Sequence, residues 1–265
     1  MLLSGCQAPG FAGHPGSFEL VGVPFFAQTS DQCGPSALAA ALVHSGVDTG
    51  PNPLRAAIHL PERRGSLQLE LIAATRRHGR VPYVIENEAD DLLALVEAGY
   101  PMVVLMNLGT SWLPYWHYAV VVGYDEASDR LVLRSGKRER ALMTRRRFDR
   151  SWRLGGRWGL ATLAPTDIPP PADPLIYVRG VAGLEEIGKH GAAAEAYEGA
   201  TRRWPDLVYA WLGLGNTAYH HGDWSTAESA YRKVLAIDPG NAAAKSNLAQ
   251  TLSVAEEDSA AAGFR

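Results

Sequence analysis

Cys33 lies in the segment Gln28-Thr29-Ser30-Asp31-Gln32-Cys33-Gly34-Pro35-Ser36, among polar and turn-forming residues just ahead of an Ala/Leu-rich stretch. The apolar spacing predicts a helix over Ser36 to Ser45, which sets the thiol at a helix amino terminus. There the free backbone N–H groups and the helix dipole favour a thiolate, and the thiolate is the nucleophile. A structural cysteine more usually sits inside an apolar stripe. A thiolate nucleophile needs a base within reach. Of the eight histidines, His117 opens the run His117-Tyr118-Ala119-Val120-Val121-Val122-Gly123-Tyr124-Asp125, at the mouth of a strand that a sheet can hold rigidly. His14 falls in a Gly/Pro-rich stretch. His44, His59 and His78 fall near helix ends, and His190, His220 and His221 in a repeat region described below. A glutamine upstream has a use in such a site, because its side-chain amide can join the Cys33 N–H in stabilising an oxyanion. Gln28, five residues back, is better placed for this than the adjacent Gln32.

Helices over Ser36 to Ser45, Leu67 to His78 and Asp90 to Ala98 should present these groups, together with strands over Val81 to Ile85, Met102 to Asn107, His117 to Tyr124, Arg130 to Arg134 and Trp158 to Leu163. The short spacing of the strands, with turn residues between them, implies an antiparallel sheet, and helices before sheet imply an α+β domain. Five prolines between Pro165 and Pro174 can continue neither helix nor inner strand, so this segment reads as a stiff interdomain linker. Beyond it, Gly188, Ala193, Tyr197 and Pro205 recur thirty-four residues later as Gly222, Ala227, Tyr231 and Pro239. This period resembles the tetratricopeptide repeat, with Trp211, Leu214 and Gly215 supplying its opening signature in the second copy and Tyr177, Gly180 and Val181 standing there in the first. A last helix, Ala242 to Glu256, reads as a capping half-repeat. The expected organisation is a tether over 1–17, a catalytic-type domain over 18–164, a linker over 165–174, repeats over 175–258 and a tail over 259–265. The repeats imply a peptide or protein partner.

Composition removes other classes. The chain has 265 residues, 46% hydrophobic and 20% charged, with a net charge of −3 and two cysteines. These values are those of a globular protein and exclude fibrous or wholly disordered classes. No apolar run approaches the roughly 18 residues of a membrane span. Two cysteines outside any Cys-x-x-Cys pair make neither a disulfide framework nor a four-thiolate metal site. Between Arg130 and Arg157 there are eleven Lys/Arg and two acids, a local balance of +9 that leaves −12 for the rest. Such a cluster can hold an anion, or it can be a solvated strand and turn. No zinc-ligand spacing or nucleic-acid-binding motif accompanies it, so nucleic acid is not an expected partner.

The pattern Gln-x-x-x-x-Cys-Gly-Pro-Ser, followed some eighty residues later by His-Tyr-x-Val-Val-x-Gly-Tyr-Asp, resembles the papain-like peptidases of the bacteriocin-processing, double-glycine-leader type. The likeness runs from about Leu20 to Leu163. It implies a papain-like α+β fold, which the all-α tetratricopeptide domain read from the thirty-four-residue period would follow. It further implies Cys33 as nucleophile, His117 as general base and then acid, Gln28 in the oxyanion hole, and amide hydrolysis through a thioester. Relatives carry Asp or Asn on the next strand to orient the imidazole. Here Leu131-Val132-Leu133-Arg134-Ser135-Gly136 places Ser135 there, with Asn107 or Asp125 as other candidate acceptors, Asp125 the less favoured because it lies at the far end of the histidine strand. A serine hydroxyl accepts the imidazole N–H but adds no charge. The loop from Asn107 to Trp116, with Trp112, Tyr115 and Trp116, either walls a substrate cleft or closes the core.

Met1-Leu2-Leu3-Ser4-Gly5-Cys6 resembles the end of a bacterial lipoprotein signal, which implies a lipid on Cys6 and, with Gln7 rather than Asp beside it, an outer-membrane lipoprotein facing the periplasm. The expected activity is a cell-envelope cysteine peptidase whose repeats recruit substrate or partner. A peptidase-like scaffold that binds without cleaving, and an acyl or isopeptide transferase on the same residues, remain open. Thiol and imidazole suffice for all of this chemistry, so no metal or organic cofactor is required.

Overall fold

The computed structural model describes residues 16–28, 32–60, 65–86 and 89–262. Cys6 and the lipid expected on it lie outside these residues.

Pro35 determines where the first long helix begins. Proline has no N–H to satisfy, and its fixed φ suits a first helical turn. Cys33-Gly34-Pro35 therefore runs into the Ala/Leu stretch as helix α1 (Cys33–His44). Cys33 is the first residue of the helix, which starts three residues earlier than the apolar pattern implies. The same effect hid α2 (Pro51–Ile58), whose first turn holds Pro51 and Pro53 and to which the sequence pattern assigns no element. Helices α3 (Gln68–Arg77) and α4 (Ala89–Glu97) follow close to their expected bounds.

The sheet has strands β1 (Phe18–Glu19), β2 (Val81–Ile85), β3 (Met102–Asn107), β4 (Trp116–Asp125), β5 (Arg130–Ser135), β6 (Arg138–Thr144) and β7 (Gly159–Leu163). Their order is β2-β7-β3-β4-β5-β6, with β1 on β4. The pairings β1–β4, β3–β4, β3–β7, β4–β5 and β5–β6 are antiparallel. Apolar residues on one side of the sheet, among them Val103, Val120, Val122 and Leu160, pack with Leu38 and Leu42 of α1 in one buried cluster.

The basic stretch contains two elements that its own composition conceals. In β6 only Ala141 and Met143 are even partly buried, so the alternation barely shows among the arginines. Helix α5 (Arg145–Leu154) buries Phe148, Ser151 and Trp152, a spacing of three and then one that repeats the i, i+3, i+4 face of a helix. Most of the cluster's cations stand on the exposed sides of these elements. Arg134 is the exception, at 4% exposure. It bonds Glu19 at 3.0 Å and the carbonyls of Val23 and Glu139, while Arg140 meets the other Glu19 oxygen at 2.7 Å. Burial alone raises the Glu19 carboxyl, but the hydrogen bonds from Arg140 and Arg134 reverse this and hold it below its ordinary value. The chain entering β1 is thereby clamped to β5 and β6.

Helices α6 (Pro174–Glu186), α7 (His190–Arg203), α8 (Val208–His220), α9 (Trp224–Ile237) and α10 (Ala242–Ala262) follow, each packed on its successor. Pro174 belongs to α6 as its first residue, and the carboxylate of Asp173 caps it by accepting from the N–H groups of Leu175 and Ile176. Gly188 and Gly222, thirty-four residues apart, end α6 and α8 at φ +75° and +74°, a left-handed conformation that favours glycine. The chain divides into two compact units. One holds the described residues up to Thr75, Tyr83–Thr162 and Pro169–Pro171. The other holds Arg76–Pro82, Leu163–Ile168 and the described residues from Ala172 on.

Candidate active site

The turn between β5 and β6 organises the site. Gly136 adopts φ +60° while Lys137 does not share the left-handed region, the pattern of a type II′ hairpin turn with glycine at its first central position. Antiparallel register pairs Val120 with Arg134. Extending that register by one residue places Ser135 opposite Ala119 and diagonal to His117 on the same face of the sheet. Its hydroxyl lies 2.9 Å from His117 Nε2. When Nε2 carries the ring proton and donates to Ser135 Oγ, Nδ1 is left unprotonated as the base. Ser135 is thus the side chain in contact with the imidazole. Asp125 is not, since its carboxylate accepts from the Ser128 N–H at the far end of β4.

The residue after Ser135 fixes the glutamine. Gly136 N–H donates to Gln28 Oε1 at 2.8 Å, and Gln28 N–H donates to the Gly136 carbonyl at the same distance. A backbone donor at Oε1 settles which end of the amide is which, so the NH₂ group points the other way, one hydrogen towards the Tyr118 carbonyl at 3.4 Å. Gln28 is itself 7% exposed. Two adjacent residues of one tight turn therefore set both the imidazole and the amide expected to stabilise an oxyanion.

Tyr118 ties the first turn of α1 to this strand. Its ring lies beside Gly34, its hydroxyl donates to the Ser66 carbonyl at 3.2 Å, and Trp158 meets it edge-on at 6.1 Å. Burial, and secondarily the nearby Cys33, push the phenol's ionisation far up, so it remains a donor. Sequence reasoning assigned no role to Tyr118 or Gly136. The signals were there, in the tyrosine adjoining His117 and a glycine closing β5, but they acquire meaning only with the register known.

Cys33 is half-buried and unpaired by any disulfide. No hydrogen bond joins its thiol to His117 among the described residues, and burial holds the His117 imidazole below its ordinary value. The site as it stands is a neutral imidazole oriented by a neutral hydroxyl.

Asn107 does something other than touch substrate or orient His117. It is 3% exposed, and its side chain is used entirely within its own loop. Oδ1 accepts from the N–H groups of Gly109 and Tyr115, and Nδ2 donates to the Thr110 carbonyl. It is a positioning residue for the β3–β4 loop. That loop does not close the core: Trp112 is 89% exposed and Trp116 53%. Both rings stand in solvent beside the strand end that carries His117.

An antiparallel sheet backed by a helix that begins at a cysteine, with a histidine strand whose neighbour supplies the orienting group, defines the papain-like thiol-peptidase class of fold. Residues 20–157, just over half of the chain, match the model of the Peptidase_C39 like family, and the chain belongs to that family. Residues 184–242 match the tetratricopeptide repeat model. Among solved structures, a putative C39-like peptidase from Bacillus anthracis is similar at 15% identity and a TM-score of 0.48, over 56% of this chain and 97% of that one. The peptidase domain of Streptococcus ComA, a bi-functional ABC transporter, is similar at 21% identity and a TM-score of 0.43, over 53% and 98%. The chain is 29% identical over 79 residues to small glutamine-rich tetratricopeptide repeat-containing protein 2 of Mycosarcoma maydis. That match spans 30% of this chain and 22% of the Mycosarcoma protein.

Proposed function

We propose that the chain is a cell-envelope cysteine peptidase that hydrolyses an amide bond at Cys33, with its repeats recruiting the substrate or a partner. The observation that carries this reading is the β5–β6 turn, which holds His117 through Ser135 and Gln28 through Gly136. His117 Nδ1 takes the thiol proton as the sulfur attacks the substrate carbonyl. The oxyanion forms between the Cys33 N–H and the Gln28 amide. The C–N bond then breaks, the leaving amine takes the proton from His117, and a thioester remains on Cys33. Water, deprotonated by His117, releases the acid and restores the thiol. Trp112 and Trp116 wall the cleft, and a lipid on Cys6 holds the protein to the outer membrane on its periplasmic side.

The test is hydrolysis of a degenerate peptide pool, read by mass spectrometry, with the natural chain and with Cys33→Ser and His117→Ala. New carboxyl and amino termini that disappear in both variants support the reading. An unchanged pool, with Cys33 alkylating like an ordinary thiol, would instead establish the non-cleaving scaffold, a second reading that the uncharged partner of His117 and the missing Cys33–His117 hydrogen bond favour. Transfer of the acyl group to an added amine in preference to water would identify a transferase.

A further inference from the structure

Two tyrosines thirty-four residues apart, one on α7 and one on α9, pack on the same helix α8 from its two neighbours. Tyr197 lies against Gly213 of α8, and thirty-four residues later Tyr231 lies against Gly215, each ring filling the space a Cβ would need. Each hydroxyl then donates to a side-chain oxygen on an inner helix: Tyr197 to Glu185 Oε2 of α6 at 3.1 Å, and Tyr231 to Asn216 Oδ1 of α8 at 3.1 Å. The two acceptors are bridged in turn, since Asn216 Nδ2 donates to Glu185 Oε1 at 3.2 Å, and Asn247 Nδ2 of α10 donates to Asn216 Oδ1 at 3.1 Å. Glu185, Asn216 and Asn247, spaced thirty-one residues apart, form a polar line across α6, α8 and α10.

The rungs differ in one respect that packing does not require. A neutral acceptor serves Tyr231 at Asn216, whereas the acceptor for Tyr197 is a carboxylate. It accepts hydrogen bonds from a phenol and an amide, both uncharged, and among the described residues no cation pairs with it. That charge faces a groove. Two adjoining clefts share Glu185 and Asn216. One extends past Asn247 and Gln250, and the other is walled by Leu175, Val178, Tyr209 and Leu212. Leu175 and Tyr209 are 51% and 60% exposed. The groove's other charge, Arg179, stands on α6 six residues before Glu185, about 9 Å along the helix.

We propose that this groove takes an extended peptide whose lysine or arginine side chain seats on Glu185. Asn216, Asn247 and Gln250 hold the peptide backbone, and an apolar residue four or five positions from the cation lies on the Leu175–Tyr209 wall, since Leu175 stands ten residues before Glu185, about 15 Å along α6. An extended chain advances about 3.3 Å per residue, which sets that interval from the distance along α6. Arg179 at the apolar end disfavours a second cation there, so one basic residue followed or preceded by apolar ones is the matching pattern. The proposal rests on the reading that the repeats recruit a peptide or protein partner.

Three degenerate pools of acetylated and amidated nonapeptides, differing only in a central Lys, norleucine or Glu, test it by fluorescence anisotropy. The protein is the full chain carrying Cys33→Ser, so that no peptide is cleaved. The Lys pool should bind on the order of tenfold more tightly than the norleucine pool, the scale of one charge-assisted hydrogen bond. Glu185→Gln, which keeps an acceptor for Tyr197, should bring the Lys and norleucine pools together. Glu185→Lys should reverse the order in favour of Glu, and thermal melts of both variants check that the repeats remain folded. Equal binding of the Lys and norleucine pools by the chain with Glu185 intact overturns the charge assignment and leaves recruitment standing. Absence of binding by every pool overturns both.

Discussion

Ser135 stands where the resemblance leads one to expect Asp or Asn beside the imidazole, and its consequences can be measured one residue at a time. A hydroxyl at 2.9 Å fixes the tautomer of His117 without stabilising imidazolium, while burial opposes the charged ring. Ser135→Asp supplies the missing charge. Each unit by which it raises the imidazole pKa increases the thiolate–imidazolium population about tenfold, so Cys33 alkylation by iodoacetamide at pH 6 should accelerate accordingly. Ser135→Ala should slow it. Unchanged rates in both would mean that His117 does not act on Cys33. The burial of His117 also leaves a mark on stability. Its pKa is lowered on folding, so above the unfolded value of about 6.5 it contributes nothing. As pH falls below that value the unfolded chain takes up the proton first, and stability declines until the folded pKa is passed. Denaturant melts between pH 7.5 and 5 should show this slope, and His117→Gln should reduce it.

Two elements carry strain-free but concentrated dependence on single side chains. Removing the carboxylate in Glu19→Gln leaves Arg134 buried without its counter-charge, a change expected to cost about 3 kcal/mol in urea unfolding. Because the Glu19 pKa is depressed on folding, its contribution is present above the unfolded value and is lost as pH falls through the folded one. The β3–β4 loop depends similarly on Asn107. Asn107→Ala removes the acceptor of two loop N–H groups, those of Gly109 and Tyr115, at a cost of about 1 kcal/mol, and under the peptidase reading KM should rise more than kcat falls. These elements were unequally legible. The repeats announced themselves because Gly188, Tyr197, Gly222 and Tyr231 are needed at fixed intervals by helix ends and close packing. Helix α2 was hidden by prolines that a first turn accepts, and β6 and α5 by arginines that solvent accepts. Cys33 and His117 could be read from their surroundings. That one turn holds both Ser135 and Gln28 could not, because it depends on a register between strands that no local pattern contains.

At the scale of the whole molecule, a lipid on Cys6 should incorporate an alkyne-labelled palmitate in cells and send the protein to the membrane fraction, with both lost in Cys6→Ser. The distribution of charge has its own outcome. The exposed sides of β6 and α5 are basic, while the remainder of the chain is acidic, and the two nearly cancel. A protein with a basic surface in one place, acidic residues elsewhere and little net repulsion attracts its own copies when few ions screen it. Light scattering near the sequence isoelectric point of about 6.2 should therefore show association in dilute buffer that sodium chloride disperses, so the protein salts in. Desalting near that pH is therefore the step at which the protein is expected to leave solution.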